Sequence, residues 1–373
     1  MHKRVIFTAV AAISAANSYA QSSVTLYGVF DSAVRFSTNQ PTANGPRNVV
    51  SLDPGAFNGG RWGLRGTEDL GLGNKAVFAL ESGFNFDTGK SGQQGQLFGR
   101  QAWVGIANKT FGTVKVGRQY GSADWFHATV DPVETGNYSE VGWQTAVTGF
   151  RFDNTIDYTN EWGGLTINAQ YSLGEQAGNA SRGRTIQGYA MYTAGNLLFG
   201  GAAQTARDAQ GRDMTVWTGG GTYTIGKFTL HSYYIDSRRD AGFLIGASGT
   251  TAPLANTSLM SNADTVAGPN TQTSERHDRI GVFGVTYQPS PSWRFIATYI
   301  RDNAAGVSRG ASGSIQTGYF IADYYMSKRT DVYFEVDRSW LSAASVNDPN
   351  SPIGSFGGAS NRTGIAVGMR HRF

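Results

Sequence analysis

The 373-residue sequence contains no cysteine, which excludes a disulfide framework and thiolate chemistry. Proline is also scarce, with 10 residues, whereas glycine is abundant, with 50. A helical or coiled-coil protein would favour alanine, leucine, glutamate and lysine, so this composition disfavours both classes. Aromatic residues make up 12% of the chain, which is more apolar surface than a disordered protein carries. The composition therefore favours one large all-β unit.

Beyond residue 20, no run approaches the roughly 18 to 20 apolar residues that a membrane-spanning helix requires. The first twenty residues have a different pattern, in which a positively charged start is followed by a short apolar run. Small residues at Ser18 and Ala20 then precede Gln21, as at a signal-peptidase site. We predict a signal peptide over 1–20 and a single exported domain over 21–373.

Charge of neither sign dominates, since the sequence has 31 basic and 27 acidic residues. No basic stripe is present, which argues against a nucleic-acid partner. The five histidines lack metal-ligand spacing, and no nucleophile elbow or phosphate-binding loop occurs. We therefore expect no metal, no cofactor and no enzymatic activity.

Polar and apolar residues alternate with a period of two along most of the sequence. At the C-terminus, Ile365, Val367 and Met369 share one face of a predicted strand, while Arg370 and Arg372 share the other. Charged faces are unfavourable in a dry core without partners, but they suit a water-filled lumen. The pattern indicates strands whose apolar faces meet lipid.

Sixteen such segments can be placed, with boundaries good to a few residues. They are 24–37, 60–70, 74–87, 97–108, 112–119, 150–160, 164–174, 184–194, 197–207, 213–225, 227–238, 276–288, 292–303, 313–326, 329–341 and 361–373. Short connections, such as those at Gly195 and Gly226, alternate with longer ones, including 38–59, 120–149, 239–275 and 342–360. An even number of antiparallel strands with this asymmetry predicts a transmembrane β-barrel with short periplasmic turns and long external loops. Closure would also leave no exposed sheet edge.

Several short motifs resemble those of Gram-negative general porins of the betaproteobacterial and neisserial type. They are the segments 23–28, 61–71, 99–105, 116–121 and 368–373. The resemblance implies a homotrimer of sixteen-stranded barrels in the outer membrane, in contact with lipid and lipopolysaccharide. It also implies a water-filled channel for passive diffusion of small hydrophilic solutes and ions, with the third long loop, 120–149, folded into the lumen.

The pore constriction is predicted to have a basic wall and an acidic loop. The basic candidates on lumen-facing positions are Arg61, Arg65, Arg100, Arg118 and Arg151. The acidic candidates are Asp124, Asp131, Glu134 and Glu140, and the only cationic candidate of that loop is His127. Opposed charges in a narrow opening act strongly on permeating ions. One alternative is that the arginines only fix the loop, or that Arg65 and Arg118 lie below the narrowing. The others are that either Asp131 or Glu134 caps the loop backbone, that Asp124 and Glu140 are solvated or structural, and that Glu81 pairs with Arg61 or Arg65.

Two further patterns concern the membrane-facing surface. Tyrosine and tryptophan near strand ends predict interfacial girdles, at Tyr158, Trp162, Tyr171, Tyr192, Tyr287, Trp293, Tyr299, Tyr325 and Trp340. In the fourth predicted strand, 97–108, Arg100 and Ala102 are predicted to face the lumen and Trp103 the lipid. Phe373 shares the lipid-facing parity of Met369, and resemblance to outer-membrane proteins implies that a terminal Phe is read as an assembly signal.

Two other functions fit the pattern less well. An adhesin or anchor barrel with little conduction would need a plug, because a barrel of this strand number is wide enough to conduct. An outer-membrane barrel enzyme would need a Ser-His pair at one external face. Bilayer conductance separates the first from a channel, and a lipase or protease assay tests the second.

Overall fold

The computed structural model describes residues 22–138, 142, 146–247, 249–262, 274–308 and 310–373. The predicted signal peptide 1–20 and the candidate Glu140 lie outside the described residues. Nearly all regular structure belongs to one antiparallel sheet, whose first strand pairs with its last. No helix in the described ranges is long and apolar enough to cross a membrane.

The sheet contains seventeen strands within the described ranges, and a nine-residue α-helix, α1, follows the sixth strand. In chain order they are β1 (Ser23–Thr42), β2 (Gly45–Pro54), β3 (Arg61–Gly71), β4 (Asn74–Gly83), β5 (Gln101–Asn108), β6 (Gly112–Tyr120), α1 (Ser122–Val130), β7 (Arg151–Trp162), β8 (Leu165–Ser172), β9 (Thr185–Ala194), β10 (Leu197–Arg207), β11 (Asp213–Ile225), β12 (Phe228–Arg239), β13 (Arg276–Ser290), β14 (Trp293–Ser308), β15 (Ala311–Tyr325), β16 (Thr330–Ala343) and β17 (Asn361–Arg372).

Strands β2 and β3 occupy a single position in the wall, because both pair with β1. The upper part of β1, residues 32–42, pairs with β2, and its lower part, residues 23–29, pairs with β3. The wall therefore has sixteen positions, and the predicted sixteen-stranded antiparallel barrel is confirmed. Tight turns at Gly195 and Gly226, where φ is +57° and +58°, make two of the predicted short connections.

The prediction of a long loop over 38–59 is wrong. Strand β1 continues to Thr42, and β2 returns beside it after a two-residue turn. The chain leaves the wall only between β2 and β3, where the Asp31 carboxylate accepts hydrogen bonds from the backbone N–H groups of Phe57 (3.2 Å) and Asn58 (2.8 Å). The glycine and asparagine residues of this segment predict a loop, but hydrogen bonding to β1 makes most of it a strand.

The two faces of the wall differ as the alternation predicts. Large apolar side chains are exposed on the outside, including Val24 (64%) and Val367 (62%), where a bilayer would cover them. Inside, polar side chains such as Asp157, Gln170 and Gln187 are buried against one another and against the inward-folded loop. The interior of the barrel therefore combines these polar contacts with a cluster of buried apolar side chains on the wall and the inward loop.

Two predicted orientations are wrong. Trp103 faces the lumen, where its indole N–H donates to Gln101 (2.8 Å), while Val104 faces outward. The alternation starts at Gln101, and Arg100 lies just before the strand, so its inward direction does not set the parity of Ala102. Likewise Tyr325 points inward, with the Arg294 guanidinium 5.6 Å from its ring, and Tyr324 is the exposed aromatic there.

Candidate pore constriction

The segment after β6 folds into the barrel and begins with α1. Ala123, Phe126 and Val130 recur at helical spacing and are buried, whereas Trp125 on the opposite side is 45% exposed. The helix lies against the inner surface of strands β8 to β12. The Ser122 hydroxyl donates to Asn168 (2.5 Å), which fixes the first turn to β8.

The end of the helix and the segment after it are also attached to the wall. His127 Nε2 lies 3.0 Å from the Thr218 hydroxyl, and Asn137 donates to Glu335 on β16 (3.0 Å). The loop therefore folds into the lumen, as the resemblance implies, and the structure shows that it reaches β16. Burial lowers the pKa of His127 to about 3, so this side chain is neutral and adds no cation to the loop.

A cavity of about 810 Å³ lies between this loop and the side of the wall formed by β1 and β3 to β7. Arg61, Arg65, Arg100 and Arg151 line it from the wall, and Asp124 and Glu134 line it from the loop. The fold thus brings together four of the five predicted basic residues and two of the predicted acids, with the two sets on opposite sides.

Arg61 and Arg65 lie on the inward face of β3 with their guanidinium groups in the cavity. Neither forms a hydrogen bond or an ion pair with any residue that the structure describes. The closest aromatic contact of Arg65 is the Tyr27 ring, 5.3 Å from its guanidinium carbon. These two positive charges are consequently open to permeating ions.

Arg100 is held differently, because Glu81 on β4 is its partner. The Arg100 Nε donates to Glu81 at 2.7 Å, and the hydroxyls of Tyr27 (2.9 Å) and Tyr120 (3.0 Å) donate to the same carboxylate. Glu81 is therefore a wall acid, and its ion-pair partner is Arg100 rather than Arg61 or Arg65. This pair fixes the Arg100 guanidinium while cancelling most of its charge.

Arg151 begins β7 and lies against Tyr120. Its Nη2 donates to the Tyr120 hydroxyl (3.2 Å), and its guanidinium carbon is 4.6 Å from the ring centre. The side chain is buried, and its Nε has no hydrogen-bond partner within the described part of the chain. The Arg151 side chain therefore lines the cavity beside Tyr120, while its Nε is enclosed by the surrounding protein.

The acids of the loop have separate roles. Asp131 caps the backbone, since its Oδ1 accepts from Val133 N–H (2.8 Å) and Thr135 N–H (2.9 Å) and its Oδ2 accepts from Tyr233 (3.0 Å). Glu134 is exposed in the cavity. Burial raises the pKa of Asp124 to about 7, although Arg151 and Arg100 oppose the rise.

Arg118 is not part of the cavity lining. A bulge after Gly117 turns it toward the external loops, where it donates to Gly99 O (2.7 Å), Asp153 (2.5 Å) and Asn256 O (2.9 Å). Strand parity could not reveal this bulge. No group of side chains in the described ranges has the arrangement of a metal site.

Aromatic residues of the cavity were not predicted as part of the site. The cavity lining includes Tyr27, Trp103, Tyr120 and Trp125. Tyr120 contacts Arg151, the carboxylate that holds Arg100, and the Trp125 ring on the helix. The alternation around Tyr27 could have placed that residue in the lumen. The lumen positions of the other three could not be predicted. Tyr120 lies at the end of a strand, Trp103 has the opposite orientation to the predicted one, and Trp125 lies on a helix that the sequence did not predict.

A closed barrel with an apolar outer surface, a cavity lined by charges and an inward loop defines a transmembrane β-barrel pore. The sequence pattern of the family described as Gram-negative porin matches residues 8–342. The chain belongs to the Gram-negative porin family, whose curated members found here are proteins of the outer membrane.

Relatives of known name agree with this membership. An outer membrane porin protein of Bordetella pertussis is 36% identical over 46% of this chain and 48% of its own length, so that match spans about half of the relative. Outer membrane porin protein 32 of Delftia acidovorans is 35% identical over 66% of this chain and 76% of its own length.

Solved structures share the fold. An anion-selective porin from Comamonas acidovorans superposes with a TM-score of 0.74 at 22% identity, covering 95% of this chain and all of that one. A trimer form of OmpT from Vibrio cholerae superposes with a TM-score of 0.63 at 14% identity, covering 94% of this chain and 99% of that one.

Proposed function

We propose that this outer-membrane porin is a homotrimeric channel for passive diffusion of small hydrophilic solutes and ions, with a weak preference for anions. The observation that carries the preference is the unpaired state of Arg61 and Arg65 in the cavity. Of the predicted loop acids, Asp131 is used in holding the loop, and only Asp124 and Glu134 line the opening.

The transverse arrangement of charge follows from where the two sets are attached. The arginines extend from the β3 to β7 side of the wall, and Asp124 and Glu134 from the inward loop. A field between them orients dipolar solutes and acts on ions at short range, because low-dielectric walls concentrate it. Arginine suits the role because it stays charged at every physiological pH.

Neutralising the open arginines tests the charge preference. In planar bilayers under a potassium chloride gradient, the double variant Arg61→Gln, Arg65→Gln should move the reversal potential toward cations. A charge roughly 8 Å away in water contributes about 0.5 kcal/mol, so we expect about a twofold change in the anion-to-cation permeability ratio per charge removed.

Arg329→Gln is the matched control, because Arg329 is exposed in the turn between β15 and β16 and lies outside the cavity lining. It should leave the reversal potential unchanged. An unchanged reversal potential in the double variant would show that Arg61 and Arg65 do not act on ions.

The proposal includes an assembly role for Phe373. Its backbone N–H donates to Gly28 O (3.1 Å), and its ring stacks on Phe30 at 5.3 Å. The ring also covers Gly28, where an added Cβ would lie 2.3 Å from Phe373 Cζ. Phe373 thus closes the sheet at the seam between the first and last strands, while its side chain remains partly exposed for recognition.

Deleting Phe373 should lower the amount of heat-modifiable trimer inserted in cells several-fold, while the single-channel conductance of the inserted fraction stays the same. Trimer is read from unheated and heated gels after mild extraction, and conductance from bilayers. Phe373→Tyr, which keeps the ring, is the control and should insert normally. Unchanged insertion of the deletion variant would leave Phe373 only a packing role, and a monomer in unheated gels of the parent would contradict the trimer.

A further inference from the structure

The cavity exposes aromatic rings as well as charges. Trp125 is 45% exposed although the helix that carries it is otherwise packed against the wall. Its ring contact is an edge-on approach to Tyr120, with 5.8 Å between ring centres and 68° between planes. An indole face in contact with water brings no benefit to a channel that passes only inorganic ions, where a polar side chain would serve equally well.

Guanidinium donors lie beside these rings. The Arg151 guanidinium is 4.6 Å from the Tyr120 ring, and that of Arg100 is 5.9 Å from it. The Nε of Arg151 is buried and without a partner in the described part of the chain, and the Asp124 Oδ1 on the facing helix is likewise unpartnered. Tyr120 therefore links an exposed indole face to a guanidinium group, and Trp125 and Arg151 line the same cavity.

We infer that the constriction binds small aromatic carboxylates transiently as they cross. The carboxylate is held by Arg151, which offers paired donors with matching geometry, and the ring packs on Trp125 and Tyr120. Arg61 and Arg65 provide the next cationic positions along the wall. This inference rests on the proposed anion-preferring channel and names the class of organic anion that its constriction favours.

Binding within the pore can be measured as block of the chloride current by a slowly moving anion. The probes are benzoate, cyclohexanecarboxylate, which has the same charge and a similar size without a π face, and benzamide, which has the ring without the charge. Benzoate should half-block the current of single trimers at a concentration roughly two- to tenfold lower than cyclohexanecarboxylate. Benzamide should block weakly, because it lacks the carboxylate that the arginines hold.

Variants then assign the effect to the helix. Trp125→Leu should remove the difference between benzoate and cyclohexanecarboxylate, and Trp125→Phe should retain part of it. Trp162→Leu is the matched control, because Trp162 is similarly exposed (47%) at the end of β7 and does not line the cavity. It should keep the full difference.

Equal half-blocking concentrations of the two carboxylates in the parent protein would overturn the inference, as would a difference that survives in Trp125→Leu. Reversal potentials in potassium chloride are measured on the same trimers. An anion preference without any preference for benzoate rejects this inference alone, whereas the absence of an anion preference rejects the proposed charge selectivity on which it rests.

Discussion

On the β3 to β7 side of the lumen, Arg61 and Arg65 reach into the cavity without a hydrogen bond or ion pair among the described residues, and Arg61 acts on the Glu81 carboxylate only at longer range. On the opposite side, Arg276 on β13 pairs with Asp278 (3.0 Å) and with Asp348 (2.8 Å), and all three side chains are buried. The same residue type therefore serves two purposes. Pairing and burial make an arginine structural, and an open guanidinium makes it visible to ions.

Other arginines of the second side follow the paired pattern. Arg35 contacts Glu335 (3.2 Å) and Asp337 (2.5 Å), and Arg370 contacts Asp331 (3.0 Å). These pairs join β1, β16 and β17 across the seam where the barrel closes. A polar interior needs such cross-links, because a buried charge without a partner is strongly unfavourable.

The largest expected effect comes from breaking the paired side. Arg276→Met leaves the buried Asp348 without its cation, while Asp278 keeps its ion pair with Arg239, and the variant should lower the free energy of unfolding by about 3–5 kcal/mol. The measurement is urea or thermal unfolding of the purified protein. Arg301→Met, at an exposed position on β14, is the control and should change stability by no more than about 0.5 kcal/mol.

The reversal potential of the Arg276→Met variant tests whether the paired side of the lumen acts on permeating ions. Fully folded Arg276→Met channels should keep the parent value, because Arg276 and its carboxylate partners are buried and lie outside the cavity lining. A shift as large as that of the Arg61 and Arg65 double variant would mean that burial outside the cavity does not hide a charge from ions, and the comparison would fail.

A smaller effect should follow from converting a paired arginine into an open one. Glu81→Gln removes the carboxylate that Arg100 contacts at 2.7 Å. The anion-to-cation permeability ratio should rise about twofold, since one positive charge becomes uncompensated in the cavity. Reversal potentials measure the change. Glu68→Gln, on the exposed end of β3 outside the cavity, serves as the control, and an equal rise there would point to surface charge rather than release of Arg100.

The smallest effect concerns pH and the loop that faces the open arginines. The pKa of Asp124 is raised to about 7 by burial, so its carboxylate is mostly ionised at pH 8 and mostly protonated at pH 6. Protonation removes a negative charge facing Arg100 and Arg151, and the anion preference should therefore increase as the pH falls from 8 to 6. The increase should be at most about twofold.

Asp124→Asn should be anion-preferring at both pH values and should lose this pH dependence, with reversal potentials again as the measurement. His127 cannot replace Asp124 as the titrating group, because its pKa is lowered to about 3 and it stays neutral throughout this range. A pH dependence that persists in Asp124→Asn would assign the titration to a group other than Asp124.

Strand alternation alone determined the barrel, the wall positions of Arg61 and Arg65, and the outward face of the last strand. These features follow from a local rule, since side chains alternate between faces of a strand and a membrane requires one face to be apolar. The alternation of loop lengths determined the number of wall positions in the same way. It did not predict that two strands, β2 and β3, share the second of these positions.

Only the tertiary structure decided which charges are open. Arg118 and Arg65 look alike in the sequence, yet a bulge carries Arg118 to Asp153 and leaves Arg65 in the cavity. Asp131 and Glu134 lie three residues apart, and the first caps the loop while the second faces water. Pairing depends on contacts between residues distant in the chain, such as Arg35 with Glu335, and no local periodicity records such contacts.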